Sequence, residues 1–288
     1  MRQRLIYVNG AFLPEQGAHL SALDRGFTLG DGVFETLRAV SGRVFRWDNH
    51  LARLRRSAET VGLPLPGRPA ELSDAISALL GENRLTDALV RISVSRGVPD
   101  ERGLMPPSTP TPTLVIQSAP FAGYPEERYQ RGFTATISAI RRNEHSPLSY
   151  VKSCNYLDSV LARIGAAARG ADEAILLNTA GQLACGASSN IFLVSGGTLV
   201  TPSLGCGVLD GVTRRAVAEI AADLGLQLFE REIAASEVFL AEELFITNTA
   251  LGVMPLVAVD GQPIGKGVPG PITSGLRAAY AERLLCHG

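Results

Sequence analysis

The chain has 288 residues, 45% of them hydrophobic, which is enough for two compact domains or one large one, each with a real core. A formal net charge of −1 favours neither nucleic acid nor an anionic membrane, no apolar stretch is long enough to span a bilayer, and the N-terminus meets polar residues too soon for a signal peptide. The expectation is a cytoplasmic enzyme acting on a small molecule, without membrane or nucleic-acid partners.

In chain order, Arg4–Val8 and Ala11–Leu13 flank Asn9-Gly10, a strong hairpin signal. Phe34–Val40 and Arg43–Trp47 flank Ser41-Gly42 and predict a second hairpin. Leu51, Leu54, Ala58 and Val61 recur at helical spacing, with Asp48 or Asn49 as the cap and Gly62 as the stop. A helix is predicted over Pro69–Leu80, ending at Gly81. Ala88, Val90, Ile92 and Val94 alternate with Leu89, Arg91, Ser93 and Ser95, the pattern of a half-buried strand. Prolines 99, 106, 107, 110 and 112 mark a loop, Thr113–Gln117 a short strand, and Ser118–Pro125 a linker. Beyond it, strands are predicted at Gly132–Ile140, Glu173–Asn178, Asn190–Val194, Glu243–Thr247 and Val253–Val259, and helices at Ser153–Ala168, Val212–Leu224 and Pro271–Leu285. Hairpins mixed with helices indicate an α+β fold rather than a regular βαβ series.

Four scattered cysteines, Cys154, Cys185, Cys206 and Cys286, form no CxxC pair and have no histidine at ligand spacing. Neither a metal site nor a disulfide framework is expected. The basic residues are more telling. Lysine and arginine together number 27, yet only Lys152 and Lys266 are lysines. Arginine stays protonated and delocalised, so imine chemistry could rest on two side chains alone. Lys152 lies in PLSYVKSCNYLDSVLARIG, after an apolar stretch and before a predicted helix. The helix dipole and partial burial both favour the neutral amine there. A snorkelling lysine at a helix start is the other reading of the same segment. Lys266, in PIGKGVPG, sits in a Gly/Pro loop and is a poor catalytic candidate.

A phosphate needs backbone donors at a helix start or a placed arginine. Gly211-Val212-Thr213 opens the helix VTRRAVAEI, Asn248-Thr249 ends the strand ELFITN, and Arg53 lies on an amphipathic helix. Each alone reads equally as a cap or a surface charge. Their co-occurrence carries the signal.

Together these segments resemble the class IV aminotransferase family, the fold-type IV pyridoxal phosphate enzymes. That family includes branched-chain aminotransferases, D-amino-acid transaminases and 4-amino-4-deoxychorismate lyases. The resemblance runs through YVNGAF (7–12), DRGFTLGDGVFETLR (24–38), HLARLRRSA (50–58), SRGVPDERGL (95–104), YVKSCNYLDSVLA (150–162), GASSNIFLV (186–194), GVLDGVTRRAV (207–217) and ITNTALGVMP (246–255). It implies a smaller N-terminal α+β domain, here 1–118, a linker at 119–125 and a larger pseudo-barrel domain at 126–288, paired as a homodimer. By the same resemblance Lys152 carries pyridoxal phosphate as a Schiff base, Arg53 binds the phosphate, Val212 and Thr213 cradle it, and Thr249, beside Asn248, closes the cradle.

One departure stands out. Where the family pattern has a glutamate five residues before the asparagine of SSN, this chain has Cys185. The family glutamate keeps the pyridine nitrogen protonated, and a neutral thiol is a weak donor. A weakened electron sink handicaps transamination more than an elimination driven by aromatisation. On the substrate side, Phe34, Arg91 and Arg102 are the expected contacts, with the two arginines suited to a substrate bearing two carboxylates. The sequence expectation is therefore a pyridoxal phosphate-dependent 4-amino-4-deoxychorismate lyase producing 4-aminobenzoate and pyruvate for folate biosynthesis. Its alternatives are a transaminase of D-amino acids or of branched-chain amino acids, and a cofactor-binding homologue without activity.

Overall fold

A computed structural model describes residues 3–286. The chain divides into two compact units: the first runs to Ala122 and takes in Val151–Asn155, and the second comprises Gly123–Tyr150 and Tyr156–Leu284.

Unit 1 holds β1 (Leu5–Val8), β2 (Ala11–Pro14), α1 (Arg25–Leu29), β3 (Gly32–Val40), β4 (Arg43–Val44), α2 (Trp47–Thr60), α3 (Pro69–Glu82), β5 (Ala88–Ser95) and β6 (Thr113–Pro120). Its six strands form one sheet in the order β2-β1-β6-β5-β3-β4. Both Gly-containing hairpins form as expected, with Asn9 and Ser41 at positive φ ahead of Gly10 and Gly42. One face of the sheet sends Val33, Leu37, Val90, Ile92 and Ile116 into a core with Leu51, Leu54 and Ala58 of α2 and Leu72, Ile76 and Leu79 of α3. The alternation in Ala88–Ser95 is thus a packing pattern, with every second side chain buried.

Local boundaries differ where tertiary pairing outweighs local signals. Trp47 opens α2 instead of closing the second hairpin, and Arg46 takes the cap position in a left-handed conformation, ahead of Asp48 and Asn49. Strand β6 continues to Pro120, because Leu89, Val90 and Ala88 pair with Ala119, Ser118 and Pro120; the linker segment begins as sheet. α3 runs through Gly81 to Glu82, before the cap residue Asn83.

Unit 2 contains α4 (Glu126–Arg131), β7 (Phe133–Arg142), α5 (Leu157–Ala168), β8 (Glu173–Asn178), β9 (Leu183–Gly186), β10 (Asn190–Ser195), β11 (Thr198–Pro202), α6 (Val212–Asp223), β12 (Leu228–Arg231), β13 (Glu243–Asn248), β14 (Gly252–Val259) and β15 (Gln262–Pro263); α7 (Pro271–Cys286) follows. A nine-stranded mixed sheet runs β12-β11-β10-β13-β14-β7-β8-β9, with β15 on β14. Ile175, Leu183, Ile191, Leu244, Ile246 and Met254 build its main core, and Phe192 stacks on Phe245 with ring centroids 4.9 Å apart. Elements with clear periodicity fall where expected. β9, β11 and β12, each of four or five residues, were not foreseen.

Among the described residues no helix is long and apolar enough to cross a membrane.

Candidate functional site

The segment carrying Lys152 is extended, not helical. Lys152 O accepts from Phe34 N at 2.9 Å, Cys154 N donates to Gly32 O at 2.8 Å, and Ser153 bridges Val33. These bonds occupy the backbone that a helix would need, so α5 starts only at Leu157, after the cap Tyr156. Lys152 therefore does not stand at the helix start expected from its sequence, and no helix dipole there favours its neutral amine. The residue lies in unit 1, not in the second domain to which its sequence position assigned it. Its backbone N donates to Ser57 Oγ of α2 at 3.3 Å.

The same pairing brings the Lys152 amine over Phe34, with Nζ 4.5 Å from the ring centroid. Arg91, on the neighbouring strand, places its guanidinium carbon 3.7 Å from that centroid and donates from Nε to Ser93 Oγ at 3.1 Å. Phe34 is buried, while Lys152 and Arg91 are half-buried. Two of the three expected substrate-side residues thus meet Lys152 at one aromatic ring. Arg102 is exposed, on the loop between β5 and β6.

Beneath this face lies a group that the sequence reading missed. Glu35 falls on the apolar face of β3, between Val33 and Leu37, and is fully buried. Arg53 grips it with both ends of its fork, Nε to Oε1 at 2.7 Å and Nη2 to Oε2 at 2.8 Å. His50 Nδ1 lies 2.8 Å from Oε2. Burial pushes the Glu35 carboxyl up, but the charge and hydrogen bonds of Arg53, with those of His50, carry it down to about 2. Burial lowers His50 despite Glu35, so the imidazole is neutral and its Nδ1–H donates to the carboxylate. The legible signals were a charged residue on the buried register of a strand, and His50 one helical turn before Arg53.

In unit 2 the start of α6 is built for close approach. Its cap residue is Gly211, and no side chain among the described residues caps the helix. A Cβ on Gly211 would lie 2.0 Å from Asn190 Oδ1, so any other residue would force the Asn190 amide to move. The Asn190 amide in turn donates to Leu209 O at 2.9 Å, tying down the approach to the helix. Val212 and Thr213 are buried in the first turn. Thr247, paired across the sheet with Asn190, is 1% exposed, and its hydroxyl has no hydrogen-bond partner among the described residues. Uncapped helix amides, a glycine whose Cβ position meets Asn190 and an orphaned hydroxyl nearby fit a phosphate-bearing group. Asn248 works locally, its Oδ1 accepting from Ala250 N and Leu251 N at 3.0 and 2.7 Å to form the turn that holds Thr249.

Cys185 is buried in β9 among Ala174, Leu176, Ala187 and Cys206. Burial raises its thiol, and the Glu173 charge opposes the pull of Arg142. It stays a neutral thiol. Glu173, also unforeseen, is raised chiefly by burial, although it accepts from Ala174 N at 2.9 Å and from Ser189 Oγ at 3.1 Å.

These shifts set a pH dependence. His50 is lowered from 6.5, and Glu35 and Asp31 are lowered below their ordinary values, Asp31 because hydrogen bonds from Arg96 and Arg25 outweigh burial. A lowered group contributes stability above its unfolded pKa and loses it as pH falls through the folded one. Glu173 has the opposite sign and offsets part of the loss. The melting temperature is expected to fall as pH drops from about 7 to about 4, His50 acting first and the carboxylates later. A melting temperature that stays flat or rises over that range in a scanning calorimeter contradicts the assignment.

Residues 32–259 match the family described as amino-transferase class IV. The chain is 37% identical over 277 residues to a putative branched-chain-amino-acid aminotransferase of Methanocaldococcus jannaschii, covering 96% of this chain and 95% of that one. It is 32% identical over 286 residues to a D-alanine aminotransferase of Bacillus licheniformis, covering 97% of each. The crystal structure of the branched-chain amino acid aminotransferase from Thermobaculum terrenum, in its PLP-bound holo form, superposes with a TM-score of 0.89 at 28% identity, covering 99% of this chain and 95% of that one. These relatives are aminotransferases, so the lyase expected from the sequence has less support than its transaminase alternative. The chain belongs to the class IV aminotransferase family of pyridoxal phosphate enzymes.

Proposed function

We propose that this enzyme is a transaminase of small aliphatic amino acids, branched-chain amino acids first, transferring the amino group to a 2-keto acid. The observation that supports it most is the meeting of Lys152, Phe34 and Arg91 at one ring. An amine, a carboxylate-binding guanidinium and an apolar surface are what an aliphatic amino acid requires of a site. The names of the relatives point the same way.

When bound, pyridoxal phosphate supplies an aldehyde and an electron-withdrawing ring. Lys152 would hold the cofactor at its aldehyde, and its amine would move the proton at the substrate Cα. The first-turn amides of α6 at Val212 and Thr213, with the Thr249 hydroxyl, would bind the phosphate, and Arg53 is the arginine that the family resemblance assigns to it. Arg91 takes the substrate carboxylate as a fork, and Phe34 packs against the aliphatic side chain. Arg102 is left as a contact for substrates with a second carboxylate. Asn248 acts through the turn it shapes.

A panel assay on one preparation tests the reaction. L-Leucine, L-isoleucine and L-valine with 2-ketoglutarate should give keto-acid-dependent transfer, and D-alanine should be a weaker donor. The neutral thiol at Cys185 is the observation that keeps a second reading in view. Pyruvate release from 4-amino-4-deoxychorismate without an added keto acid, and no amino transfer, would restore the lyase.

The proposal includes a homodimer. α5 exposes Leu157 at 68%, Val160 at 48%, Leu161 at 48% and Ile164 at 59%, an apolar stripe at helical spacing that calls for a cover. Sedimentation at micromolar concentration should show twice the chain mass, and Leu161→Arg should shift it toward the monomer. A wild-type chain that sediments as an active monomer counts against it.

A further inference from the structure

The Glu35 carboxylate is the least expected charge in unit 1. It occupies a core position on β3, fully buried, on a face otherwise filled by Val33, Leu37 and Ala39. Taking an ion from water into such a place is costly, and an apolar side chain of similar volume commonly serves stability as well or better. A role other than stability is therefore the natural reason for an acid there. Its strong partners converge on one neighbour. Arg53 is engaged through two separate nitrogens, which fixes the plane of the guanidinium as well as its place. His50, on the same face of α2 one turn earlier, bonds Oε2 as well, so that oxygen is held by both Arg53 and His50 and the carboxylate is fixed independently of the arginine. All three side chains are buried, Glu35 at 0%, His50 at 2% and Arg53 at 6% exposed. An arginine on a long flexible stem is thereby made rigid, and rigidity is what turns a cation into a shape-selective receptor for an oxyanion.

We propose that Glu35 and His50 are positioning residues that lock the Arg53 guanidinium for a phosphate monoester, so that the share of the preference for phosphorylated over unphosphorylated ligands that Arg53 contributes depends on all three side chains. This rests on the reading of Arg53 as the phosphate-binding arginine. Other charges face the triad as well: Lys152 adds a repulsive field at His50. It does not replace any of the three hydrogen bonds to Glu35.

The test compares pyridoxal phosphate with pyridoxal, which keeps the aldehyde and lacks the phosphate. Dissociation constants for both are measured spectroscopically on the full chain after cofactor removal, in wild type, Arg53→Ala, Glu35→Gln, His50→Leu and His50→Asn. Glu35→Gln and His50→Leu should each weaken pyridoxal phosphate by about 10- to 100-fold, the scale of a charge-assisted hydrogen bond, with pyridoxal changed less than about twofold. His50→Asn keeps a donor near the position of Nδ1 and should restore most of the phosphate preference. If Glu35→Gln does not fold, the pair of His50 variants carries the same test. A ratio of the two constants that stays at the wild-type value in the soluble variants, with thermal stability alone reduced, overturns the proposal and leaves a structural triad. An unchanged ratio in Arg53→Ala overturns instead the underlying assignment of Arg53, so the two failures are distinct.

Discussion

Lys152→Ala is expected to lose amino transfer by at least about 10²–10⁴-fold, the contribution of a positioned proton-transfer group, with the lost covalent anchor adding to it. The only other lysine, Lys266, lies in the turn after β15, and no arginine can form an imine. The fold should survive. Lys152 is half-buried, and its backbone accepts from Phe34 N and donates to Ser57 Oγ, bonds that alanine keeps. The variant should melt close to wild type, and single-turnover kinetics should show the loss in the chemical step. Retention of a tenth or more of wild-type turnover would remove Lys152 from the mechanism.

Arg53→Ala is expected to act twice. Loss of a charge-assisted bond to phosphate costs about 1.5–3 kcal/mol of cofactor affinity, roughly one to two orders of magnitude. Glu35 is then left as a buried carboxylate with His50 as its one remaining strong partner, and breaking a buried pair this way costs about 3–5 kcal/mol of stability. The unfolding midpoint in urea should fall accordingly. Replacing Glu35 and Arg53 together by leucine should recover much of the stability and none of the affinity. An Arg53→Ala protein with wild-type cofactor affinity and an unchanged midpoint would contradict both the phosphate assignment and the coupling to Glu35.

Much of the architecture is visible in the sequence because hydrophobic period and turn chemistry coincide there. Ala88–Ser95 alternates cleanly, and Asn9-Gly10 can serve little but a tight turn. Short strands are less visible. β9 reads Leu-Ala-Cys-Gly and β11 contains a threonine at its buried Thr201, so neither shows an apolar alternation long enough to separate strand from loop. The start of α5 was misplaced because nothing in KSCNY shows that these residues pair with the beginning of β3. Tertiary hydrogen bonds decided the matter, and they also hold Lys152 at Phe34.

The candidate site was legible where residue type alone restricts chemistry. A single well-placed lysine and a Gly-x-Thr helix start are such cases. It was illegible where function depends on a partner far along the chain. The register of β3 marks Glu35 as an acid in a buried position, but its partners on α2 emerge only in the fold, and the orphaned hydroxyl of Thr247 gains meaning only beside Asn190 and Gly211. Cys185 shows the limit of a resemblance. A reaction inferred from that one thiol carries less weight than the whole-length similarity to aminotransferases.

The central claim, that pyridoxal phosphate is carried by Lys152, is tested most directly by borohydride reduction of the purified enzyme followed by peptide mass spectrometry. The pyridoxyl mass should appear on the peptide containing Tyr150–Tyr156, with Lys152 as the modified residue. Label on Lys266, or no label on a protein that retains amino transfer, would contradict it.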